Sequence, residues 1–403
     1  MASLSKSRRL FIHLNRNVDV PKPLFYSTTP TPTPTPTPPF PSFRAAKAAI
    51  ISESNPDKLA EILQKSIRFP TFQRHRPIYH LSIRKLARAN RPDLIHRVLQ
   101  SHPTPNSEGF FIRLIMLYSS AAMLDHAINT LELIKSSSQL SEKSLCAILT
   151  AHLNHRLFDQ VRDLFQTLPL KLNVTPGIAS NNLVLKSFVE ENNDVVAARN
   201  WVEIMEKDNK VLPNIDSYNV LLKGYLKNND LVGFDGVVKE VLNKGLDFNL
   251  ASYNYRISRL CKSKECARAK KLLDDMVSKG VKPNSASYDT IIDGFCRVGD
   301  LESAKKVLES MLSDGYVSPC SFPYYALIRN AVKEGEFDLA LEMCKETIRR
   351  RWIPPFEAME GLVNGLVKMS RAEEAKEIVE KMKKRLKGPA VDSWGKIEAA
   401  LPL

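Results

Sequence analysis

One arrangement of apolar and polar positions repeats down the second half of the chain at a near-constant interval. An aromatic followed by a residue that is usually short and polar recurs as Tyr218-Asn219, Tyr253-Asn254, Tyr288-Asp289 and Tyr324-Tyr325, 35, 35 and 36 residues apart. Other apolar positions keep this register: Ala269, Ala304, Ala340 and Ala375 form one column, Met276, Met311 and Met382 another. Small residues at a fixed place let two helices approach closely, and the methionine closes the second helix against the core. Turn signals fall between the apolar stretches, as Val298-Gly299-Asp300 and Glu334-Gly335-Glu336 within a block and Gly280-Val281-Lys282-Pro283-Asn284 or Trp352-Ile353-Pro354-Pro355 between blocks. Glycine ends a helix and proline bars its continuation. The unit is therefore helix, tight turn, helix, loop. Such a period predicts an all-α solenoid of about eight to nine helix-turn-helix repeats, each burying its apolar face by stacking on its neighbours.

Extending the register gives repeats near 108–141, 142–177, 178–214, 215–249, 250–284, 285–320, 321–355 and 356–390, followed by a C-terminal tail at 391–403. Residues 46–107 read as degenerate N-terminal helical repeats that cap the stack, because a terminal repeat has one face without a neighbour. Residues 1–45 are excluded from the fold. Seven cations there (Lys6, Arg8, Arg9, Arg16, Lys22, Arg44 and, just beyond, Lys47) face the single acid Asp19, with no long apolar core, which reads as an organelle transit peptide. Arginines around Leu10-Phe11-Ile12 favour the mitochondrion, and its matrix, over the plastid. Thr29 to Pro38 alternates threonine and proline, an extended, disordered linker.

Charge adds a further column. Nine residues after each tyrosine position stand Lys227, Lys262, Arg297, Lys333 and Lys368, within a chain whose formal net charge is +14. The cations suit phosphate contact along an extended ligand, or an ordinary solvated face. No apolar run approaches the ~20 residues needed to span a bilayer, so no membrane partner is expected. The six cysteines are scattered without a CxxC, and the histidines all precede residue 156, so neither a metal site nor a cofactor is expected. Phosphate-cradle, dinucleotide, HExxH and GxSxG signatures are missing, which leaves a non-catalytic binding protein with no small-molecule substrate.

The block Ala251-Ser252-Tyr253-Asn254, with Leu260-Cys261-Lys262, Ala269, Met276 and Gly280 to Asn284, resembles a pentatricopeptide repeat of the P class, a 35-residue RNA-binding unit of plant organelles. The tetratricopeptide repeat has a 34-residue period and signatures this chain lacks. The resemblance spans roughly 76–390 and implies a right-handed superhelix that binds RNA on its concave face. The short array and its ending are similar to a subgroup associated with plant mitochondrial ribosomes. Family members that edit cytidines carry HxE and PCxxC motifs, neither of which occurs here.

The family reads one base per repeat through the residue after the tyrosine and the last residue of the motif. That implies the pairs Asn182 with Asn214, Asn219 with Asn249 and Asn254 with Asn284, a combination that resembles a pyrimidine preference, with Asp289 in the same column. The partners implied are single-stranded or ribosomal RNA and, in the ribosomal case, mitoribosomal subunit proteins. The asparagines equally suit helix starts and loop caps. Asp216, Ala251 and Ala286 stand where an aliphatic wedge is usual, and Asp289 with Cys320 or Tyr325 with Pro355 match no standard pair. The sequence thus leaves a transcript-specific stability or processing factor and a protein-binding scaffold as alternatives to a mitoribosome-associated component supporting translation.

Overall fold

The structure, a computed structural model, describes residues 40, 42–67, 76–101, 107–135, 140–207, 211–318, 320–386, 389–399 and 401. The transit peptide and most of the Thr/Pro linker lie outside the described residues. Twenty-one helices and no strands occur among those described. Two compact units divide at Ile78. The first contains α1 (Phe43–Ser52) and α2 (Pro56–Ser66). Helix α1 starts inside the stretch assigned to the linker because the Ser42 hydroxyl accepts from the Ala45 amide and caps it.

The second unit begins at Tyr79, within α3 (Arg76–Arg88), and continues with α4 (Pro92–Gln100), α5 (Glu108–Ser120), α6 (Leu124–Lys135), α7 (Glu142–Asn154), α8 (Phe158–Leu172), α9 (Ile178–Glu191) and α10 (Val195–Lys207). Then follow α11 (Ile215–Lys227), α12 (Leu231–Asn243), α13 (Leu250–Lys262), α14 (Cys266–Ser278), α15 (Ser285–Arg297), α16 (Leu301–Ser313), α17 (Phe322–Glu334), α18 (Phe337–Arg349), α19 (Phe356–Lys368), α20 (Ala372–Lys383) and α21 (Pro389–Ala399). From α3 to α20 they form consecutive pairs. First helices from α5 to α19 lie each against the next, and second helices pack on the first helix of their own repeat. The first helices therefore make one continuous layer.

The columns read from the sequence explain this stacking. Tyr218, Tyr253, Tyr288 and Tyr324 are at most 1% exposed, so the aromatic is core rather than surface. Their rings come from the first helix, and three hydroxyls donate to the second helix or its C-cap: Tyr218 to Glu240 (2.9 Å), Tyr253 to Asp275 (3.2 Å) and Tyr288 to the C-cap Asp314 (2.8 Å). Each bond lets a large apolar ring be buried without stranding its polar end. The alanine and methionine columns are fully buried beside them. At Gly365 a Cβ would lie 1.9 Å from Cε1 of Phe337, so only glycine permits this helix approach.

Turns within the pairs also form a column: Asn90, Ala122, Arg156, Asn193, Asn229, Lys264, Gly299, Gly335 and Ser370 all have positive φ. One left-handed residue per repeat reverses the chain, although only two are glycine. The segment read as a C-terminal tail contributes α21, whose Trp394 is 2% exposed and packs edge-to-face on Phe356 at 5.4 Å. That indole covers the end of the core, which would otherwise face water.

Candidate nucleic-acid interface

Helices α9, α11, α13 and α15 carry Asn182, Asn219, Asn254 and Asp289 at the same register, one turn into each helix. The partner asparagines sit at the following helix starts. Asn214, Asn249 and Asn284 are the N-caps of α11, α13 and α15, each closing a capping box with Ser217, Ser252 or Ser287. Their capping role is therefore real. It also brings the predicted pairs together: Nδ2 of Asn182 donates to Oδ1 of Asn214 (3.3 Å), Asn219 to Asn249 (3.0 Å) and Asn254 to Asn284 (3.2 Å).

A column that sequence reasoning missed fixes these pairs. Ser144, Ser180, Ser217, Ser252 and Ser287 are fully buried, one residue before the aromatic position. Ser217 donates its hydroxyl to Oδ1 of Asn182 (2.6 Å), Ser252 to Asn219 (2.7 Å) and Ser287 to Asn254 (2.6 Å). Each serine thus holds the amide of the preceding repeat across the repeat boundary. An amide offers two N–H donors and two oxygen lone pairs. Within this network each of the three uses one donor and one acceptor, keeping one of each, in a fixed orientation. The signal was present as Asn-x-x-Ser at 214–217, 249–252 and 284–287.

In the preceding repeats a carboxylate takes the place of the amide. Ser144 donates to Glu108 (2.8 Å) and Ser180 to Glu142 (2.7 Å), while the reader column holds Ile112 and Cys146. Burial alone would raise the Glu108 carboxyl, but hydrogen bonds from Ser141 and Ser144 outweigh it and hold it below the usual carboxylate range. The same structural joint is thus made without an amide in that column.

The wedge column is small and exposed. Asp216, Ala251 and Ala286 all face solvent, and Asp216 accepts from Nδ2 of Asn249 at 3.1 Å. An aliphatic stacking surface is missing at these three positions, as the sequence indicates.

Asp289 is half-buried, and its side-chain partner among the described residues is the Cys320 thiol, with Sγ 3.8 Å from Oδ2. Burial pushes its carboxyl up to about 6, against a small lowering by the thiol. A cavity of about 420 Å³ opens beside it, bounded by Ser258, Lys262, Ala286, Arg297 and Phe322. Tyr325 follows a different course, its hydroxyl donating to the carbonyl of Ile353 (2.7 Å).

The five cations are exposed and occupy the last turn of α11, α13, α15, α17 and α19. In that position they complement the negative helix ends. Lys262 donates to the Leu226 carbonyl (2.7 Å), Arg297 pairs with Asp293 (2.6 Å), and Lys333 lies 3.9 Å from Glu334. Eight residues of helix separate Asn219 from Lys227, about 12 Å along the axis. Cations and amides thus form two parallel rows on the first-helix layer.

A stack of helical hairpins with this register, tyrosine core and paired cap residues defines a class of repeat protein, and comparison with known proteins agrees. The profile of the PPR repeat family matches residues 249–297, and the PPR repeat profile matches 216–246, 286–316 and 361–385. The chain belongs to the pentatricopeptide repeat family. A mitochondrial pentatricopeptide repeat-containing protein of Arabidopsis thaliana is 40% identical over 361 residues, 87% of each chain. The Arabidopsis small ribosomal subunit protein mL103 is 28% identical over 370 residues, covering 90% of this chain and 88% of its own. Among solved structures, the maize pentatricopeptide repeat protein PPR10 matches 89% of this chain with a TM-score of 0.50 at 19% identity. The chain spans 60% of that maize protein.

Proposed function

We propose that this protein is a mitochondrial RNA-binding protein whose first-helix layer contacts RNA, and that it works as a component associated with the mitochondrial ribosome in support of translation. The observation that carries the reading is the row of three asparagine pairs, each oriented by a buried serine and each retaining one donor and one acceptor. A pyrimidine edge presents a donor and an acceptor, or two flanking acceptors and a donor, within reach of a single amide. The parallel cation row supplies affinity that depends on salt and not on sequence. The protein binds, and its contribution to translation is to hold RNA in place rather than to transform it.

Relatives named as mitochondrial and as small ribosomal subunit proteins support the compartment and the ribosomal context. So does the small number of repeats with an amide pair, since a factor dedicated to one transcript needs more readers. To test this, mitochondrial lysate from cells carrying a tagged copy is run on a sucrose gradient with and without RNase. Co-sedimentation with a ribosomal subunit is expected, and migration as a free small complex would remove the ribosomal part of the proposal.

A further inference from the structure

We infer that the repeat at 285–320 selects guanine, with the Asp289 carboxylate accepting from the two adjacent N–H donors of the base's Watson–Crick edge. The inference rests on the RNA-binding reading above and adds a base identity to the repeat that fits no standard pair.

Three observations carry it. Asp289 stands in the column of Asn182, Asn219 and Asn254, on the next first helix of the same layer. Unlike those amides, it has no serine donor from the following repeat among the described residues: the position before Tyr324, where the serine column falls, is Pro323 in the first turn of α17, and the contact across the boundary is the Cys320 thiol, a weak donor at 3.8 and 3.9 Å. A half-buried carboxylate with two oxygens and so little donation calls for N–H groups. Finally, the cavity of about 420 Å³ that it borders falls in the size range of small-ligand sites, and it is walled by the small Ala286 and the ring of Phe322. Guanine alone among the four bases presents two neighbouring donors, N1–H and N2–H, on that edge. Adenine and the pyrimidines would set at least one acceptor against a carboxylate oxygen.

Charge at the cavity is balanced for this role. Lys262, engaged with the Leu226 carbonyl, and Arg297, paired with Asp293, are the cations on its wall; Asp293, Cys261 and Cys320 are the other titratable groups nearby. Above a pH of about 6 the Asp289 carboxylate is charged and offers both oxygens; below it, a proton occupies one of them. Guanine selection should therefore weaken as pH falls from 7.5 to 5.

The test is selection of bound sequences from a random single-stranded RNA pool by the full chain and by its Asp289→Asn variant, at pH 7.5 and pH 5. The expected motif is three consecutive pyrimidines flanked on one side by guanine. In the variant, and in wild type at pH 5, enrichment of that guanine should drop at least fivefold while the pyrimidines persist. A pyrimidine triplet with no adjacent guanine, or guanine enrichment that survives Asp289→Asn, would overturn the assignment and leave RNA reading intact. Absence of any motif would overturn both readings. Binding of a labelled arginine hexapeptide that Asp289→Asn abolishes, with the RNA motif unchanged, would overturn it in favour of a protein partner.

Discussion

Ser252→Ala isolates the joint on which the interface depends. The Ser252 hydroxyl is fully buried, donates to Oδ1 of Asn219 at 2.7 Å, and contacts Oδ1 of Asn249 at 3.1 Å within the capping box of α13. Removing it leaves the Asn219 oxygen without its buried donor, a loss of about 1–3 kcal/mol. It also weakens a cap whose loss costs about 1 kcal/mol. The combined destabilisation is about 2–4 kcal/mol, or roughly 30- to 900-fold in local opening. Because each repeat in a solenoid contacts its neighbours alone, the effect should concentrate at one boundary. Hydrogen exchange on the full chain should show that loss of protection in α11 and α13, with α17 to α20 unchanged. The Asn219 amide, free to turn over, should also lose its pyrimidine preference while salt-dependent affinity persists. Protection that is unchanged, or lost evenly over the whole second unit, would show that Ser252 does not hold this repeat boundary.

Further outcomes follow from other parts of the structure. Replacing Lys227, Lys262 and Lys368 together by Ala should flatten the slope of log affinity against log salt by about 2 for single-stranded RNA, leaving base preference unaltered; an unchanged slope would assign these cations to helix ends alone. Gly365→Ala should lower thermal stability by about 1–3 kcal/mol, because its Cβ falls on the Phe337 ring, and an unchanged melting curve would contradict that packing. Asp289 has a folded carboxyl near 6, above its unfolded value, so wild type loses stability as pH rises from about 4 through 6. Asp289→Asn, which carries no charge, should therefore gain more on wild type at pH 7.5 than at pH 4.5, by on the order of 1 kcal/mol once exposure is discounted; equal differences in denaturation midpoint at both pH values would refute the desolvation.

The period and the tyrosine, alanine and methionine columns were legible because each needs one residue type at one place, whereas the asparagine pairs were implied only by the resemblance to the family. Burial of a ring or close approach of two helices leaves few alternatives. The left-handed turn column was not legible as a column, since Asn90, Ala122, Arg156, Lys264 and Ser370 share a backbone angle and no side-chain chemistry. The serine column escaped for another reason. Serine at a third helical position reads as a local cap, and its bond to an asparagine 33 or 35 residues earlier exists only once repeats are stacked. Helix α21 was read as a tail because its ties to the core, Trp394, the part-buried Ile397 and the Lys383–Glu398 ion pair, carry no repeat register.

The proposed function stands on the asparagine row reading bases. Equilibrium binding of the full chain and its Asn219→Ala/Asn254→Ala variant to equal-length pyrimidine-only and purine-only RNAs, at one salt concentration, tests it most directly. Wild type should prefer the pyrimidine RNA, and the variant should lose roughly tenfold or more on that RNA while purine binding, carried by charge, stays within about twofold. Equal losses on both RNAs would contradict base reading and leave the asparagines as caps alone.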